Sequence, residues 1–114
     1  MSSWRNLLIH GDCLEAMRSL LQDFRESVRL IYIDPPFLSG TVYSVRRTHG
    51  GNESEAPAVL ETKTYSDRWE GGLDEYLEFI HERLLLMREL LSREGSIWVH
   101  LDWHVSHYVK VMMD

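Results

Sequence analysis

With 114 residues, twelve basic and eighteen acidic side chains and a formal net charge of -6, the chain is long enough for one compact domain or part of one, and it has no overall electrostatic footprint for non-specific nucleic-acid binding. Any nucleic-acid contact is therefore local or lies outside this chain. One cysteine, Cys13, excludes an internal disulfide. With no signal-like N-terminus and no apolar stretch long enough for a bilayer, the expectation is a soluble, cytoplasmic protein without membrane contact.

Leu7-Leu8-Ile9-His10 is a short apolar run closed by Gly11, which predicts a buried strand entering a turn. Asp12 is placed as a helix N-cap with Glu15 three residues later. Leu14, Met17, Leu20, Leu21 and Phe24 then recur at helical period, predicting a helix from about Cys13 to Phe24. Val28 to Ile33 is apolar without clean alternation, as expected of a strand covered on both faces. Pro35 and Pro36 end it, because neither can donate to a sheet ladder.

The segment 38–72 is dominated by Ser, Thr, Gly, Arg and Glu, and predicts a long mobile loop. From Leu73 the positions Leu77, Ile80, Leu84, Met87 and Leu91 mark a helix, with Asp74 and Glu75 in its first turn and Glu94-Gly95 as its stop. Ser96 to Leu101 predicts a third strand, and Asp102 the cap of a last helix carrying Val105, Tyr108, Val109 and Met112. Three strands alternating with three helices imply an α/β domain with a parallel sheet. In such sheets chemistry gathers at the carboxyl ends of strands. Three polar clusters fall at those ends: Gly11-Asp12, Asp34-Pro35-Pro36-Phe37 and His100-Leu101-Asp102.

The central cluster is the most specific. At roughly 5 % usage per residue, Asp-Pro-Pro occurs by chance in about 1 % of chains this long. A rigid turn with a solvated Asp34 is the bland reading. In the functional one, Pro36 biases Pro35, and Pro35 biases Asp34, toward extended backbone, so that their carbonyls and the Asp34 carboxylate point forward as acceptors. A planar amine is the natural guest for such acceptors, and Phe37 offers a ring on which its heterocycle stacks.

These residues resemble the catalytic motif of the β-class amino-methyltransferases that methylate exocyclic amines of DNA bases with S-adenosylmethionine. Leu8-Ile9-His10-Gly11-Asp12-Cys13-Leu14-Glu15 is similar to that family's strand-Gly-Asp-x-Leu segment. Thr64-Tyr65-Ser66-Asp67-Arg68-Trp69 and Glu94 to Asp102 fall where the family has comparable segments. The resemblance implies a partial Rossmann-like methyltransferase core, with Asp34 and the Pro35 carbonyl holding the target amine, Pro36 stiffening the turn and Phe37 stacked on a flipped base of double-stranded DNA. It places cofactor contacts at Asp12, on the cofactor's adenine amine, and at Asp34. Asp at the first motif position implies N6 of adenine as acceptor, with N4 of cytosine as the alternative.

No Phe-x-Gly-x-Gly or Gly-x-Gly-x-x-Gly occurs, nothing resembles a target-recognition domain, and Leu38 stands where many relatives carry Asn. The expectation is an N-terminal fragment that binds S-adenosylmethionine weakly or not at all alone and is completed by a C-terminal half or a second chain. In the family, two strands lie between the one ending at Gly11 and the one ending at Asp34, so the isolated chain would expose strand edges. Two rival readings stand beside it. One is a non-catalytic module that acts only with a partner chain. The other is a metal-dependent hydrolase built on His100, Asp102, His104 and His107, although Asp102 as a plain helix cap explains the same residues. Trp69 is expected as a loop anchor, while Arg46-Arg47 and Arg68 are either phosphate contacts or part of a solvated loop.

Overall fold

A computed structural model describes residues 5–38, 42–48, 59–66 and 69–114, with side chains described outside 42–48 and 59–66. Helix α1 (Cys13–Phe24) begins where Gly11 adopts a φ of 155°, a conformation that L side chains rarely enter, and where Asp12 caps the first turn. The chain leaves α1 through Glu26, which sits at a φ of 52° with its N–H donating to the Glu89 carbonyl at 2.9 Å. It then enters β1 (Val28–Ile33).

After β1 come β2 (Val42–Thr48) and β3 (Val59–Ser66), which pair antiparallel. Part of the predicted loop at 38–72 is therefore a hairpin ladder. Its remaining stretches, 39–41, 49–58 and 67–68, lie outside the described residues, as does the expected mobility there. The side chains of Arg46, Arg47 and Arg68 lie outside them too.

Helix α2 (Gly72–Leu90) runs directly into β4 (Leu91–Val99), which pairs parallel with β1. The ladder proper joins Leu30–Ile33 to Ser96–Val99, and an irregularity after the Val28–Leu91 pair absorbs the extra residues. Gly95 belongs to that irregularity by necessity. A Cβ there would lie 2.7 Å from a Leu91 methyl carbon and 2.8 Å from the Val28 carbonyl oxygen. The helix predicted to stop at Glu94-Gly95 thus stops at Leu90, and the strand starts at Leu91, earlier than Ser96.

Tyr76, Ile80, Leu84 and Met87 form one stripe of α2 and are buried together with Val105 and Val109. Ile31 and Ile33 of β1, Ile97 and Val99 of β4 and Met17 of α1 pack against them. Each fully buried side chain of this size contributes roughly 1.5–3 kcal/mol, so this seam holds α2 against the sheet. The opposite face of the sheet is open among the described residues: Tyr32 and Trp98 are each 64 % exposed and Leu30 is exposed beside them. The expectation of a β1 covered on both faces is corrected to cover on one.

Two further expectations change. Leu7–His10 is not a strand; Leu8 is 99 % exposed, and among the described residues only β1 and β4 form the parallel sheet. An apolar run becomes a strand only where a neighbour accepts and donates its backbone hydrogen bonds. Helix α3 (Ser106–Met113) starts four residues beyond Asp102, with Val105 at its N-cap position and no side-chain cap. The α/β class and the parallel pairing stand, with two parallel strands in place of the predicted three.

Candidate functional site

The carboxyl ends of β1 and β4 lie side by side. The ladder continues one step past both strands, where the His100 N–H donates to the Ile33 carbonyl at 2.9 Å. Two of the three predicted clusters, Asp34 to Phe37 and His100 to Asp102, are thereby brought together at one edge of the sheet. The Phe37 and His100 rings stack with centroids 5.8 Å apart and planes at 27°. Asp34 is exposed, and its carboxylate makes no hydrogen bond or ion pair among the described residues. Pro35, Pro36 and Phe37 are half-buried. What emerges is a negative charge held by a stiff backbone beside an aromatic pair.

Asp102 and His104 belong to each other. Asp102 Oδ1 accepts from the His104 backbone N–H at 3.0 Å, and Asp102 Oδ2 lies 2.9 Å from His104 Nδ1. Asp102 therefore caps the short turn between β4 and α3 and not α3 itself. Trp103, 77 % exposed, stacks on His104 at 3.7 Å. Among the described residues no three His, Cys, Asp or Glu side chains could share a metal ion, so His100, Asp102, His104 and His107 lack the convergence a metal hydrolase needs.

The third cluster, Gly11-Asp12, is not at a strand end but at the start of α1. Asp12 Oδ1 accepts from the backbone N–H groups of Leu14 at 2.9 Å and Glu15 at 3.4 Å. Its Oδ2 lies 3.6 Å from Nη2 of Arg83, a residue of α2. Arg83 and His100 are the site residues that sequence reasoning missed in these roles. Arg83 has no place in the reading of the sequence, since nothing local marks its reach to α1. His100 entered within the strand-end cluster His100-Leu101-Asp102 and as a candidate metal ligand, but not as a ring partner of Phe37, a pairing set by its place one step beyond β4, level with the residues after β1.

Trp69 is the loop anchor that was expected. Its indole packs edge-on to Tyr76 with centroids 5.3 Å apart and tilted against Phe79 at 5.0 Å.

Residues 28–114 match the sequence profile of the DNA methylase family. The chain is 30 % identical over 122 residues to the type III restriction-modification enzyme EcoP15I Mod subunit of Escherichia coli, covering 96 % of this chain and 18 % of that protein. It is 34 % identical over 110 residues to the EcoPI Mod subunit of Escherichia phage P1, covering 86 % and 17 %. With the type II methyltransferase M.EcaI of Enterobacter cloacae the identity is 31 % over 109 residues, covering 96 % and 21 %. The chain thus spans about a fifth of the length of these curated relatives.

Proposed function

Because the chain belongs to the DNA methylase family, we propose that the protein carrying it transfers a methyl group from S-adenosylmethionine to the exocyclic N6 of adenine in DNA, with Asp34, Pro35, Pro36 and Phe37 as the acceptor side of the reaction. The observation that carries this reading is the Asp34 carboxylate, exposed and without a partner among the described residues, delivered at the carboxyl end of β1 beside the Phe37–His100 ring pair.

The chemistry of the donor set fits the cofactor. S-adenosylmethionine is a sulfonium that supplies an electrophilic methyl group, its remainder leaving as a neutral thioether. Asp34, with no ion-pair partner among the described residues, offers a negative charge to such a cation. Asp12 keeps Oδ2 clear of the helix cap and is 60 % exposed, so it can accept from the adenine amine of the cofactor. On the acceptor side Asp34 and the Pro35 carbonyl accept the two N–H bonds of the target amine. This would free its nitrogen lone pair from the ring and stabilise the positive charge that develops on nitrogen as the N–C bond forms and the C–S bond breaks, after which the nitrogen releases one N–H proton to solvent to leave the neutral methylamine. Phe37, backed by His100, presents an aromatic surface to a base swung out of the duplex. Because the leaving group is already good, alignment is the main requirement, and alignment contributes roughly 7–11 kcal/mol in well-oriented reactions. A double-stranded DNA partner and a cytoplasmic setting complete the proposal. Among the described residues no helix is long and apolar enough to cross a membrane.

The test is transfer of radiolabelled methyl groups to DNA by the protein as expressed from its gene, with Asp34→Ala beside it. The variant is expected to lose at least about 10²-fold in transfer. Label recovered as N4-methylcytosine would move the acceptor to cytosine. Undiminished transfer by Asp34→Ala would remove Asp34 from the mechanism.

A further inference from the structure

Arg83 is built into the protein more completely than a surface helix residue requires. Its side chain is 12 % exposed, and its guanidinium carbon sits 3.5 Å from the centroid of the Phe79 ring. Nη1 donates to the Phe79 carbonyl at 3.0 Å, which fixes one side of the plane to α2. The other side faces α1: Nε donates to Cys13 Sγ at 3.1 Å, and Nη2 is 3.6 Å from Asp12 Oδ2. A guanidinium is a rigid fork, so holding one side orients the other.

For Asp12 this matters because its two oxygens have different duties. Oδ1 is committed to the N–H groups of Leu14 and Glu15. Rotation of the carboxylate about that anchor decides where the lone pairs of Oδ2 point, and Arg83 is the side chain that faces Oδ2 among the described residues. The approach from Gly11 is open, since a Cβ built there meets no atom within 4 Å.

We propose that Arg83 is a positioning residue for cofactor binding, holding Asp12 in the orientation that receives the cofactor's adenine amine, an inference that rests on the reading of Asp12 given above. It acts through Asp12 and touches neither cofactor nor base. Arg83 also draws α1 onto α2, so stability alone cannot distinguish positioning from fastening.

A double-mutant cycle on S-adenosylmethionine binding does. Calorimetric titration of the expressed protein, without DNA, gives the dissociation constant for wild type, Arg83→Met, Asp12→Ala and the double variant, each checked for folding by circular dichroism. Arg83→Met is expected to weaken binding about tenfold, in the range of coupled neighbours. In the Asp12→Ala background the same change is expected to cost less than about twofold. Equal losses in both backgrounds, or wild-type affinity in a less stable Arg83→Met, would overturn the proposal. If Arg83→Met does not fold, Arg83→Lys takes its place in the cycle, since it keeps the charge and loses the fork. Wild-type affinity in Asp12→Ala overturns the reading of Asp12 and this proposal with it. Asp34→Ala still tests the transfer reading on its own, so the two failures remain distinguishable.

Discussion

Asp12 and Asp34 each follow a break in regular structure, and both carboxylates are exposed, but the chain holds them by opposite means. At Asp12 the side chain is the fixed part: two backbone N–H groups and a guanidinium bracket its oxygens, on a turn that Gly11 leaves free to bend. At Asp34 the backbone is the fixed part, stiffened by Pro35 and Pro36, and the carboxylate has no partner among the described residues. A contact that recognises a bound molecule can share its acceptor with a helix cap. In the proposed reaction Asp34 would need all its lone pairs for the target amine, and its precision would come from the chain behind it.

Exchanging each carboxylate for its amide separates the two designs, and the largest effect belongs to Asp34→Asn. An amide keeps the shape and removes the charge, so methyl transfer is expected to fall by about 10²-fold or more. The unfolding midpoint in urea should move by less than the equivalent of about 0.5 kcal/mol, since no hydrogen bond among the described residues is lost. Transfer measured on saturating DNA and a urea titration of the same preparation check both halves. A large loss of stability would mean that the Asp34 carboxylate braces the fold, contrary to its exposure.

The next effect lies at Asp12. Asp12→Ala removes a cap that satisfies two N–H groups and is expected to cost about 1 kcal/mol of stability. Asp12→Asn should cost little, because an amide oxygen caps almost as well. Urea unfolding of the three proteins decides it. If Asn is as damaging as Ala, the ion pair with Arg83 and not the cap carries the stability of this turn.

The contrast also shows why some of the molecule is legible in the chain and some is not. Asp12 as N-cap, the bounds of α1, the stripe of α2 and the extent of β1 all depend on neighbours within a few residues, and each is where periodicity and capping place it. The Asp34 turn is legible for the same reason, since prolines act on the residue before them. Leu7–His10 has the apolar character of a strand but no ladder partner among the described residues. The β2–β3 hairpin was hidden by its polar content, although Val42, Tyr43, Val45, Thr62, Thr64 and Tyr65 carry a β-branched and aromatic signal that outweighs it. Arg83 against Asp12 and His100 against Phe37 are long-range pairings, created only when α1 meets α2 and when β4 aligns with β1. Local rules do not reach them.

The smallest expected effect tests whether the Asp34 turn is held by its backbone. Pro35→Ala restores a backbone N–H and widens the conformations open to Asp34, both before folding and in the native turn. Loss of one proline's restriction costs about 0.4–1 kcal/mol through the unfolded chain alone. If the turn's stiffness serves only stability, transfer by the folded protein should stay at the wild-type rate once unfolded molecules are subtracted. If it serves alignment, the rate should fall further than stability explains while affinity for S-adenosylmethionine holds, because reacting groups displaced by as little as about 1 Å can lose up to 10²-fold. Single-turnover transfer, read beside a urea titration of the same variant, tells these apart. A rate that tracks the folded fraction would leave Asp34 positioned by its own side chain, as Asp12 is, and would erase the distinction between the two turns.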